Sequence, residues 1–67
     1  MHVDLEQEPD GRWLADVAAL PGVMAYGATP EAARHAVLVL ALRVLADRIE
    51  HGEPVPDGVL DRLGLAA

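Results

Sequence analysis

Apolar and polar residues alternate at the start of the chain, where Val3 and Leu5 interleave with Asp4 and Glu6. A period of two predicts a half-buried strand over residues 3–8. Glu8-Pro9-Asp10-Gly11-Arg12 follows, and there proline presets φ, aspartate favours the turn and glycine takes φ > 0, so a hairpin is expected. Residues 12–17 form the return strand. Trp13, Ala15 and Val17 share one of its faces, and Arg12, Leu14 and Asp16 the other. The charge on Asp16 argues that the tryptophan face points inward. Leu20-Pro21-Gly22 breaks the pattern, and Val23 to Gly27 reads as a third short strand.

The period then changes to that of a helix. Thr29 is a suitable N-cap, Pro30 fits the first position, and Glu31 faces the positive end of the dipole. Gly52 fits the left-handed position beyond the C-terminus and Pro54 forbids continuation, so the helix should run over 30–51. At 100° per residue, Ala33, Val37, Leu40 and Val44 fall together, and Leu38, Leu42, Leu45 and Ile49 form a second stripe about 120° away. The first stripe is expected to join Val3, Leu5, Trp13, Ala15 and Val17 in the core. The second either widens that core face or meets another chain. Pro54-Val55-Pro56 is extended, and Asp57 is placed to cap a short helix through Leu63 that Gly64 would stop, with a fourth strand as the alternative for 57–67.

The expected fold is thus α+β: a three-stranded antiparallel sheet in the order β-β-β-α, one long helix packed on one face, and a short C-terminal element. The chain reads as one domain over 1–67. It divides into a β-meander (1–28), the long helix (29–52), and a Pro-rich linker with a short terminal helix (53–67).

Length changes the picture, because a 67-residue chain buries only about 60% of its unfolded surface and is marginal alone. Cysteine is absent, so disulfides and Cys-based zinc sites cannot help. Oligomerisation is the remaining common remedy, and a homo-oligomer, most simply a twofold dimer, is expected, with Leu38, Leu42, Leu45 and Ile49 as its interface. Eleven acids face five bases, all arginine, for a net charge of −6. Such a balance argues against direct nucleic-acid binding and favours a basic partner. No apolar run reaches the length of a membrane span, the longest being Ala36 to Leu42, and no secretory leader follows Met1. A cytoplasmic protein with no membrane association is expected.

The residue types leave little room for catalysis. Serine, cysteine and lysine are absent, so the common nucleophiles are missing, and no enzyme activity, catalytic residue or cofactor is expected. His2, His35 and His51 do not pair at helical spacing, which speaks against a metal site. His35 is expected on the solvated helix face beside Glu31, and His51 on the last turn. Asp4, Glu6 and Glu8 alternate onto one strand face. That cluster reads as a solvated outer face, as an acidic surface for a basic protein, or, least favoured, as a divalent-metal site.

Several short strings stand in a recognisable order: Asp10-Gly11-Arg12-Trp13, Leu20-Pro21-Gly22, Gly27, Thr29-Pro30-Glu31-Ala32-Ala33 and Gly52-Glu53-Pro54-Val55-Pro56. Over residues 2–56 the chain resembles the N-terminal domain of HicB-like antitoxins. The resemblance implies a partial ribonuclease-H-like or dsRBD-like fold, often with a fourth strand. It also implies a basic, RNA-cleaving HicA-type toxin as the partner to be masked. Ala18-Ala19 stand where the family commonly has Pro-Glu. Family members usually add a C-terminal DNA-binding module, which is not expected within these residues, so autorepression is not expected of this chain alone. The competing function is a stand-alone oligomeric scaffold or ligand-sensing domain with no toxin partner.

Overall fold

The strands β1 (Val3–Gln7), β2 (Trp13–Val17) and β3 (Met24–Gly27) form an antiparallel sheet in the order β1-β2-β3, followed by α1 (Pro30–Glu50) and the single turn α2 (Val59–Arg62). These assignments come from a computed structural model that describes residues 2–62 and Gly64. The architecture is the expected α+β arrangement. Leu63, the expected end of the terminal helix, lies outside the described residues.

Each connection has a local chemical cause. In the hairpin turn, Gly11 sits at φ +93° and its N–H donates to the Glu8 carbonyl at 2.9 Å. Asp10 accepts from the Arg12 backbone N–H (3.0 Å) and from Arg12 Nε (2.7 Å). These two bonds hold the Asp10 carboxyl below its ordinary range. Leu20-Pro21-Gly22-Val23 is a turn with proline second, glycine third at φ +87°, and the Val23 N–H donating to the Leu20 carbonyl at 3.0 Å, a type II arrangement. Leu20 itself is fully buried, so the turn is pinned to the core by its first residue.

The helix begins as its residues dictate. Thr29 is extended, and its hydroxyl accepts from the Ala32 N–H at 3.1 Å. At the far end His51 caps, Gly52 turns left-handed at φ +70°, and the Glu53 N–H reaches the Arg48 carbonyl at 2.8 Å, a Schellman closure. Near its start α1 lies very close to the sheet. A Cβ on Gly27 would stand 2.4 Å from the Ala33 nitrogen, so only glycine permits this approach. Asp57 caps nothing among the described residues. Gly58, at φ +78°, opens α2 instead, with its carbonyl accepting from the Arg62 N–H at 3.0 Å.

The core lies between one sheet face and one helix ridge. Ala15, Val17, Leu20, Val23, Ala33, Val37, Ala41, Leu45 and Val59 are buried, and Val3, Trp13, Ala25 and Val44 pack around them half-buried. Three expectations need correction. Leu45, assigned to an intermolecular stripe, is 3% exposed and belongs to the core. Leu40, assigned to the core, is 37% exposed. Both follow from one rotation, because the helix rests on the i, i+4 ridge Ala33-Val37-Ala41-Leu45, which begins in the first stripe with Ala33 and Val37, buried as expected, and crosses to the second at Leu45. Leu5, also expected inside, is 40% exposed because α1 lies over β3 and β2 and barely reaches β1.

Candidate functional site

The face of the sheet turned away from α1 is covered by no other element among the described residues. Register fixes its composition, since residues directly opposite across an antiparallel pair share a face. Asp4 stands opposite Asp16 and Glu6 opposite Leu14. Leu14 in turn faces Tyr26, and Asp16 faces Met24. The result is graded across the sheet: carboxylates on β1, Leu14 and Asp16 on β2, and the apolar pair Met24 and Tyr26, about half exposed, on β3.

Asp4, Glu6, Leu14 and Asp16 line a shallow depression here. Like charges directly opposite one another are unfavourable in a sheet, and the Asp4–Asp16 pair is such a case. His2 Nε2 lies 2.8 Å from Asp4 Oδ1, at the solvent-facing end. Asp16 has no such relief, because its Oδ1 is shielded from solvent and meets no donor among the described residues. A desolvated acceptor left unpaired costs roughly 1–3 kcal/mol, which an incoming cationic donor would offset. Arg12, the base nearest this face, is already engaged. Its guanidinium lies 4.3 Å from the Tyr26 ring centroid while its Nε holds Asp10.

The acidic set is therefore not quite the one that alternation suggested. Asp4 and Glu6 are in place, but Glu8 lies beyond the end of β1, half-buried in the turn, and Asp16 from the neighbouring strand completes the group. Finding Asp16 from sequence requires the hairpin register. The tight turn around Asp10-Gly11 sets that register and so brings residue 16 opposite residue 4. The helix stripe is also reduced. Leu42 and Ile49 are each 51% exposed, Leu38 is half-buried, and Leu45 is withdrawn into the core.

Among the described residues no group of three His, Cys, Asp or Glu side chains is arranged to hold a metal ion. His35 is exposed beside Glu31, Arg34 and Leu38, and His51 Nδ1 lies 2.8 Å from the Asp47 carbonyl oxygen at the helix end. Among the described residues no helix is long and apolar enough to cross a membrane. The arrangement offers a broad contact surface of mixed acidic and apolar character. No family model, curated protein or solved structure matches this chain.

Proposed function

We propose that this chain is a protein-binding domain of antitoxin type, whose outer sheet face masks a basic, RNA-cleaving toxin of the HicA kind. The observation that carries the reading is that exposed Asp4, Glu6, Met24 and Tyr26 share one sheet face, uncovered among the described residues, with half-buried Leu14 and Asp16. Apolar and aromatic side chains supply the contact area that protein interfaces concentrate at their centre. Carboxylates beside them attract a positively charged surface and speed encounter. The ordered strings from Asp10-Gly11-Arg12-Trp13 to Gly52-Glu53-Pro54-Val55-Pro56, which resemble HicB-like antitoxins, name the partner class.

The test is to mix the protein with a purified HicA-type toxin from the same genome and follow RNA cleavage and association kinetics. Inhibition of cleavage is expected. Asp4→Asn/Glu6→Gln/Asp16→Asn should slow association about tenfold or more at low salt, since steering by opposite charge acts mainly on the on-rate. Cleavage that continues undiminished overturns the antitoxin reading. Association at an unchanged rate in the triple variant removes the acidic face from it. The alternative, a self-associating scaffold, is favoured by the exposure of Leu42 and Ile49 on the helix.

A further inference from the structure

Among the described residues the sheet has two open edges, and they differ in chemistry. Antiparallel pairing turns alternate residues toward and away from a neighbouring strand. The bond from the Val17 N–H to the Val23 carbonyl, 3.2 Å, sets the phase between β2 and β3. Ala25 and Gly27 therefore bond inward, and Met24 and Tyr26 turn both their N–H and C=O groups to the free edge. At the other edge the bond from the Glu8 N–H to the Arg12 carbonyl, 2.7 Å, sets the phase, leaving Val3, Leu5 and Gln7 outward on β1.

We propose that β3 is the strand through which two copies of this chain pair, antiparallel and about a twofold axis at Ala25. Placing Ala25 on the axis sets Met24 against Tyr26 of the second copy in both flanking rungs. All four N–H and C=O groups of Met24 and Tyr26 are then answered by the same groups of the partner. Charge selects this edge. Pairing β1 with itself would line up the Asp4 and Glu6 carboxylates of both copies, and charged edge strands are a standard guard against such pairing. The β3 edge, Met24-Ala25-Tyr26-Gly27, carries no charge and no proline. In a chain of net charge −6, it is the edge on which a second copy meets no carboxylate.

The position of α1 supports the same pairing. Strands lie about 4.8 Å apart, and α1 sits over β3 and β2. A helix between these two strands lies about half a spacing inside β3, so joining two β3 edges would bring the helices to about 10 Å, the distance at which helices pack. The twofold keeps both helices on one face of the resulting six-stranded sheet. Because α1 starts at the end of β3 and runs back along it, its right-handed turn sends Leu40, 37% exposed, toward that edge. There it would meet the helix of the second copy. On the opposite face, Met24 and Tyr26 of both copies would form a continuous apolar centre with the acids at its flanks. The inference goes beyond the toxin reading and stands without it.

The experiment uses the full chain alone. Sedimentation across a concentration series should show a dimer, and amide exchange at Met24 and Tyr26 should slow at least about tenfold as dimer forms. Met24→Pro removes one outward N–H, which an edge strand tolerates, and should yield a folded monomer. Leu42→Glu, on the other flank of the helix, should leave the dimer intact. A wild type that stays monomeric at high micromolar concentration overturns the proposal, as does a dimer dissociated by Leu42→Glu but not by Met24→Pro. If Met24→Pro does not fold, wild-type amide exchange decides: unprotected Met24 and Tyr26 in a dimer would place the contact elsewhere.

Discussion

Gly27 shows how a single absent side chain sets the spacing of the fold. Its Cβ would meet the Ala33 nitrogen at 2.4 Å and the Ala32 carbonyl carbon at 2.8 Å, both backbone atoms that no rotamer change can move. Gly27→Ala should therefore push the start of α1 off the sheet and destabilise by about 3 kcal/mol or more, the upper end of overpacking costs. Urea unfolding checks this, with a lower midpoint at unchanged slope as the expected result. The requirement is steric and arises only once the helix folds back against the strand end, so the sequence shows the glycine as a strand end and not as a contact. Thr29, Gly11 and Gly22 were legible because their roles are local: a cap and two turn residues act on neighbours within a few positions. Asp16 was legible as outward-facing, but its place among the acids required knowing which residue lies across the hairpin.

At the scale of elements, strands and helix could be read almost to the residue, since period and punctuation agreed. The rotation of α1 could not. Two aliphatic stripes invited a choice between them; the helix rests on Ala33-Val37-Ala41-Leu45, which keeps Ala33 and Val37 of the expected core stripe but takes in Ala41 and Leu45 and leaves Leu40 outside. Alanine is weak in any hydrophobic plot, yet at 33 and 41 its small size lets the helix approach a sheet face that carries small Ala15 and Ala25 among its core residues. Packing distance, which hydrophobicity does not encode, decided the rotation. Ala41→Leu should accordingly overfill the layer and cost roughly 1–3 kcal/mol. Leu42→Ala, one position away, should change monomer stability by less than about 0.5 kcal/mol, as surface substitutions usually do. Thermal unfolding of both variants at low protein concentration tests the contrast. An equal loss in both would mean that the helix is rotated toward Leu42.

Among the described residues the molecule has one layer of core and one uncovered sheet face, within extents of 42 × 20 × 15 Å. Its charge is unevenly placed, with Asp4 and Glu6 on β1 and none on β3. Association with a basic partner through the acidic side should weaken steeply as salt rises, because exposed charges more than about 10 Å apart are screened at 0.1 M. Self-association through β3 should change little over the same range. Titrating both equilibria against sodium chloride distinguishes them, and a strongly salt-sensitive dimer would contradict an uncharged seam. The spatial order β1-β2-β3 followed by α1 repeats the order of the chain, so each element packs on one made just before it. Such contacts close short loops and fold quickly. During synthesis the sheet can pair as the residues emerge, and α1 can settle on β3 as soon as it clears the ribosome. Val59, which enters the core from beyond the helix, is the last of the described core residues to arrive. A nascent chain stalled before it would hold a sheet-and-helix unit with the place of Val59 still open.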